Sequence, residues 1–483
     1  MSEIPPGTPV IVDIGEAACK VGISGEMTPR EKFPTIVGRE KYQSVMVDTS
    51  DRVRSAYVGN DAQSMRGVLK IIYPLSRGQI MDWNAFYEVL NHIFYNVLRL
   101  DMRQYPVIYS EPILNPPNLR EHLARVFFET YQMPSIVIFP SAVMALVNAG
   151  LSTGLVVEIG EGMAFMVPIQ EGEVLNYAVN RLALGGVDVN ENLKNFLMQE
   201  GVNVNYSAQK EILRDIKEKL CYVAEDINVE SQNGMNIRRP YTLPDGSVVQ
   251  VGNSRFMAPE ILFTPGMLGY NTMSITQAII DSVSKVPSEV KRAMLGNIVL
   301  SGGSTKFPGF ERRLEKEIDQ WLPSLGEMPQ TSIAQKTLAQ YKPKLVAYDS
   351  QVKMPGTTSA SGMDSCPECG HDVNRNIDTY CPNCGHVMKG ATIKPIEIAP
   401  ASSDAFGIAE EFNDPDQPMS TTSSSGIVRI ISSGDRETAV FRGASKLGAM
   451  RGVFDSIKIT KEAFYANPQI IHQSILKQIF ENI

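Results

Sequence analysis

The most constraining feature of this sequence is a short acidic hairpin that occurs twice. Val10–Gly25 reads VIVDIGEAACKVGISG. Val10 to Asp13 has the continuous apolar character of a strand buried on both faces, and it ends in a carboxylate. Gly15 permits a tight turn, and Lys20–Ile23 reads as the returning strand. Leu155–Ile169 reads LVVEIGEGMAFMVPI and repeats the pattern, with Glu158 in the place of Asp13, Gly160 of Gly15 and Glu161 of Glu16. A tip of this kind gathers an acid and backbone amides at one point. It suits phosphate and a metal ion, and it equally suits a plain core hairpin. Two matched copies suggest a duplicated α/β domain with both tips facing one cleft. A third stretch, Ile298–Phe310 (IVLSGGSTKFPGF), reads as a strand, a glycine turn at Gly302, Gly303 and Ser304, and a helix from Phe310 to Ile318. Glycines there let a ligand approach the backbone, and a helix start favours anions.

Bulk properties narrow the class. A chain of 483 residues has room for two or more domains, and 43% hydrophobic with 20% charged residues is ordinary for a globular protein. The net charge of −8 argues against a surface built to hold nucleic acid. No apolar run is long enough to span a membrane, and the first residues do not read as a signal peptide, so a cytoplasmic location without membrane partners is expected. Of six cysteines, Cys19 and Cys221 stand alone and four cluster, which fits a reducing compartment and a metal site better than a disulfide framework.

Between these landmarks the chain alternates α and β patterns. Gly38–Ala62 is polar, with an apolar island at Val45–Val47, and suggests a small subdomain with an exposed loop. Trp83–Leu98 carries apolar residues at helical spacing, with His92 as a boundary residue. A strand is expected at Pro106–Ser110, a helix capped by Asn118 with His122 on its solvated side, a strand at Ile136–Phe139 and a helix from Ser141. Gly185 and Gly186 lead into a helix over Val187–Met198, Ser207–Asp226 reads as one long amphipathic helix, and Tyr241–Val251 as a hairpin around Asp245-Gly246. Asn467-Pro468 opens a last helix with Ile470, Ile471, Ile475, Ile479 and Ile483 on one side. Small polar segments at Thr357–Gly362, Ala399–Asp404 and Ser420–Gly426 read as linkers.

These stretches together resemble actin and the actin-related proteins over nearly the whole chain outside an insertion between about residues 325 and 426. Besides the three loops, the likeness is carried by Phe33–Arg39 (FPTIVGR), Tyr57–Gly67 (YVGNDAQSMRG), Arg214–Ala224 (RDIKEKLCYVA), Leu243–Gly252 (LPDGSVVQVG) and Leu300–Gly309 (LSGGSTKFPG). The resemblance implies an α/β, actin-like ATPase fold: two RNase H-like lobes around a nucleotide cleft, each with a small subdomain. It places the lobe I core at 9–35, 69–148 and 439–483 with a small subdomain at 36–68. The lobe II core falls at 149–185, 272–327 and 426–438 with a second subdomain at 186–271, and the insertion at 328–425.

It also implies ATP or ADP with Mg²⁺ in the cleft. Asp13, Gly15 and Lys20 match the first phosphate loop. Gly160 and Gly162 match the second, with Glu158 and Glu161 where actin has aspartates. Lys217 and Glu218 match nucleoside contacts, Gly186 the ribose side, and Gly302, Gly303, Ser304, Lys306 and Phe307 the adenine pocket, where Glu437 beside Arg436 replaces an expected basic residue. Glu16 stands where actin has a serine that meets the terminal phosphate, and Ala17 replaces a loop glycine. Two like charges about 4 Å apart at an effective dielectric near 20 repel by roughly 4 kcal/mol, so Glu16 disfavours a γ-phosphate unless a metal bridges them. Ser141 takes the position of the water-positioning glutamine and Phe165 that of the histidine. Phenylalanine relays no proton and serine is short for the task, so slow or absent hydrolysis is expected, with binding weakened or shifted towards ADP.

The insertion carries its own signal. Cys366 and Cys369, then eleven residues, then Cys381 and Cys384, each pair followed by glycine, form the pattern of a zinc ribbon at 364–388. Four thiolates close a tetrahedral structural Zn²⁺ site without His371 or His386, and a module so small depends on metal to fold. Its mixed charges favour a protein partner over nucleic acid. Three functions compete: a filament subunit assembling with itself, supported by the loop within Arg39–Ala56 and by Phe263–Ser274, which resembles an inter-strand plug; a non-polymerising subunit that uses the cleft as a nucleotide-stabilised hinge, the ribbon as a docking arm and other proteins or actin-like subunits as partners; and an active ATPase, which Glu16, Ser141 and Phe165 disfavour.

Overall fold

A computed structural model describes residues 4–41, 56–202, 209–233, 237–243, 245–326, 363–365, 372–374, 419–422 and 425–472. Its contacts divide the chain into two compact units, Met1–Pro343 with Phe406–Ile483, and Lys344–Ala405.

The larger unit holds two mixed sheets of the same design. In the first, Val10–Ile14 pairs antiparallel with Ala18–Ile23 and parallel with Val107–Glu111, which pairs parallel with Ser135–Pro140. In the second, Gly154–Ile159 pairs antiparallel with Ala164–Gln170 and parallel with Ile298–Ser301, which pairs parallel with Arg429–Ser432. Val10–Ile14 is buried along its full length, as its unbroken apolar run requires of a central strand. The registers match as well: Asp13 lies opposite Lys20 and Ser110, and Glu158 lies opposite Phe165 and Ser301.

Each sheet packs its own apolar cluster, and a third cluster joins them. The joint is two helices, Ser141–Asn148 and Ala439–Ala449, each following the last parallel strand of its sheet. Every residue of Ser141–Asn148 is buried. The helices cross at Gly443, where a Cβ would overlap the Met144 carbonyl oxygen, so only glycine allows the approach. Two small sheets flank this core, one of Val37–Glu40, Tyr57–Val58 and Leu69–Ile72, the other of Arg239–Thr242 and Val248–Val251 around Gly246.

Several local expectations are corrected. Ser420–Thr422, read as linker, belongs to an edge strand, Met419–Thr422, on Arg429–Ser432; pairing to a preformed edge overrides weak local propensity. The helix expected at Ser207–Asp226 runs from Gln209 to Leu220, after which Cys221, Val223 and Ala224 are buried and Asp226 caps a new short helix. The Asn118 cap gives way to Pro117 at the first helical position, whose fixed φ suits a helix start. The Trp83 helix changes to π-helical turns over His92–Leu98. The chain resumes helical turns at Pro468–His472; Ile475, Ile479 and Ile483 lie outside the described residues. So do the Val45–Val47 island and the linkers at Thr357–Gly362 and Ala399–Asp404.

In the smaller unit, Met363–Ser365 pairs antiparallel with Asp372–Asn374, bracketing the segment that contains the first cysteine pair. Cys366, Cys369, Cys381 and Cys384 lie outside the described residues.

Candidate functional site

The two hairpin tips are built alike. Gly15 N–H donates to the Ala18 carbonyl at 3.1 Å, and Gly160 N–H to the Met163 carbonyl at 2.9 Å. Each turn thereby brings its acid to the end of a buried strand. Asp13 accepts from Lys20 Nζ at 3.2 Å and from Ser110 Oγ at 2.6 Å. Burial works against the Lys20 charge, but the Asp13 and Glu437 carboxylates outweigh it, and its pKa ends above the ordinary value.

On the second tip Glu158 accepts from Ser141 Oγ at 2.7 Å. Its carboxyl is pushed up to about 7, mainly by burial, with Asp13 adding to the rise while Ser141 and Lys20 oppose it. The longer acid at position 158 thus reaches the short Ser141, and the pair closes on itself. Phe165, opposite Glu158 on the returning strand, lines a cavity with Trp83, Tyr87, Ile113 and Arg181. His122 lines the same cavity, exposed yet edge-on to Trp83 and bonded to the Tyr87 hydroxyl at 2.8 Å.

Glu161 turns away from its own tip. Its carboxylate pairs with Lys217 Nζ at 3.2 Å, and Lys217 also donates to the Gly186 carbonyl at 3.1 Å. Asn190 Nδ2 reaches Glu161 Oε1 at 3.4 Å. Gly186 is packed among Glu161, Lys217 and Ser304, whose hydroxyl donates to the Gly160 carbonyl at 2.9 Å. Lys217, Gly186, Ser304 and the second tip therefore form one hydrogen-bonded group. Glu218 stays outside it, with a largely exposed carboxylate 3.6 Å from Arg214.

The glycine turn after Ile298–Ser301 differs from its sequence reading in one respect. Gly302 has φ 88°, and a Cβ there would overlap the Ile159 carbonyl oxygen. Its room is taken by the neighbouring strand rather than left for a ligand. Gly303 has nothing within 4 Å of a built Cβ and remains open. Phe307 is buried, while Lys306 lies 3.8 Å from Asp435 and 4.0 Å from Glu437. Glu437 also pairs with Lys32 at 2.7 Å, linking the first sheet to the Arg436–Thr438 turn.

Sequence reasoning missed Arg77 and Asp188. Arg77 sits at the tip of a hairpin, Leu75–Ser76 with Gln79–Ile80, at φ 50°, a left-handed value uncommon outside glycine. Its Nη1 donates to the Gly162 carbonyl at 2.7 Å, and its guanidinium grips the Asp188 carboxylate at 2.7 and 2.8 Å. Asp188, in the first turn of the Gly186–Gln199 helix, also accepts from Gly185 N–H at 2.8 Å. Glu16 lies against Gly162, and its pKa is raised chiefly by burial, with Glu161 adding to the rise and the Arg77 and Gly78 backbone N–H groups opposing it. The turn residues Ser76-Arg77-Gly78 were the available signal for Arg77; nothing local marks its partners.

Among the described residues no group of three or more His, Cys, Asp or Glu is arranged to hold a metal by itself, and no helix is long and apolar enough to cross a membrane. Over residues 5–342 the sequence matches a protein-family model, that of actin.

Proposed function

Because the chain belongs to the actin family, we propose that it binds ATP or ADP with Mg²⁺ between its two hairpin tips, hydrolyses ATP slowly or not at all, and works as a structural subunit whose zinc ribbon docks a partner protein. The observation that carries this reading is the Ser141–Glu158 hydrogen bond. It ties up the one hydroxyl that replaces a water-positioning amide, while Phe165 across the strand offers no proton acceptor.

The residues present fit the bound group. Asp13 and Glu158, each one residue before the end of equivalent strands, would supply carboxylates for a hard cation. Lys20, paired with Asp13, would offer its remaining donors to phosphate, and Gly303 leaves room beside the Gly302 turn. Lys217, already neutralised by Glu161, would orient a nucleoside through its remaining donor rather than through net charge. When bound, Mg²⁺ screens phosphate charge. Ser141 and Phe165 supply neither an amide nor an imidazole to position water.

The smaller unit supports the docking arm through the Met363–Ser365 and Asp372–Asn374 ladder, which brackets the first Cys-x-x-Cys pair. Four thiolates at Cys366, Cys369, Cys381 and Cys384 suit structural zinc.

Single-turnover hydrolysis of ATP by the full chain with Mg²⁺ tests the reading. Nucleotide binding with turnover far below that of ordinary actin is expected; turnover comparable to actin would overturn it. Pelleting and electron microscopy of the same sample separate this function from a filament subunit, since long filaments with Mg-ATP would favour the latter.

A further inference from the structure

The first tip carries a second acid, Glu16, whose surroundings are specific. Its carboxylate lies against Gly162 of the second tip, where a Cβ would overlap Oε2. Burial and the Glu161 charge raise its pKa, and the backbone N–H groups of Arg77 and Gly78 act against that rise. The Arg77 guanidinium adds positive charge, held in place by Asp188 and the Gly162 carbonyl. Three segments separate in sequence, at residues 16, 77–78 and 162, thus converge on one carboxylate. Backbone N–H groups and a fixed guanidinium around a glycine-lined gap are the equipment of an anion seat. Here the chain's own Glu16 side chain takes that space. The remaining tip acid, Glu161, pairs with Lys217, and its charge still acts on Glu16.

We propose that the Glu16 carboxylate fills the seat that the outermost phosphoryl group of a triphosphate would take between the two tips, so that the cleft selects nucleoside diphosphates with Mg²⁺ against triphosphates. The proposal rests on the nucleotide reading above and goes further by naming the ligand class. A triphosphate would have to place its terminal oxygens against those of Glu16 in the gap beside Gly162; a diphosphate leaves that gap undisturbed.

The test is calorimetric titration of the full chain with ADP and with ATP, both with Mg²⁺, for the wild type, Glu16→Ser and Glu16→Gln. The glutamine keeps the shape and removes the charge, so it remains informative if the serine variant folds poorly. Wild type should bind ADP at least about tenfold more tightly than ATP, and each variant should move that ratio towards ATP by about tenfold. Equal affinities in the wild type, or an unchanged ratio in both variants, would overturn the diphosphate selection while leaving nucleotide binding intact. Absence of binding by either nucleotide to any of the three proteins would instead remove the nucleotide reading and this proposal with it.

Discussion

Glu158 combines two substitutions relative to the actin pattern into one hydrogen bond. A longer acid meets a shorter hydroxyl, and the carboxyl is pushed up to about 7 from an ordinary value of 4.5, first by burial and then by Asp13. The folded protein therefore keeps a proton on Glu158 over a range where the unfolded chain has lost it. The resulting stabilisation is complete below about pH 4.5 and is lost as pH rises through about 7. At about 1.4 kcal/mol per pKa unit, its size is on the order of 3 kcal/mol. In protein stripped of metal, Glu158→Gln should flatten the fall in stability between pH 5 and pH 8 by roughly this amount, read from urea unfolding at both pH values. Parallel pH profiles for wild type and variant would show that Glu158 does not titrate in this range. At the same scale, the hairpin positions of Asp13, Lys20, Glu158 and Gly160 were legible in the sequence because each is fixed by its own turn. The pairing of Lys217 with Glu161, 56 positions away, was not.

The elements that join the two sheets are the Ser141–Asn148 and Ala439–Ala449 helices. Gly443 lets them touch backbone to backbone, and Lys446 Nζ donates to the Asn148 carbonyl at 3.1 Å across the same crossing. Gly443→Val would drive a branched side chain into the Met144 carbonyl and force the helices apart. Overpacking of this kind costs about 1–3 kcal/mol, and the upper end is expected here because the obstacle is backbone. Because both helices contribute to the cluster joining the two sheets, the loss should appear as one cooperative destabilisation in chemical unfolding. A variant as stable as wild type would mean that the crossing is not tightly packed. The strands and most helices were readable from apolar periodicity. The failures occurred where a partner element overrode propensity, as at the Met419–Thr422 edge strand and after Leu220.

At the scale of the molecule, the chain separates into a large unit and the compact Lys344–Ala405 unit. If the ribbon folds around its own zinc, metal analysis of the purified chain should give one zinc per chain, and a strong chelator should remove it. The melting midpoint of the large unit should then move by less than about 2 °C. Absence of zinc, or collapse of the whole chain on chelation, would refute this independence. The sequence alone determined the duplicated hairpin, the acid at each tip and the cysteine spacing of the ribbon, because turns and strands are fixed by residues a few positions apart. Only the tertiary structure decided what meets around the second tip. Arg77 finds Asp188 at a separation of 111 residues and Gly162 at 85, and no local pattern records such partners. The physical reason is that an ion pair or an anion seat depends on where folded backbones bring groups together, whereas periodicity records only which face of a strand or helix is buried.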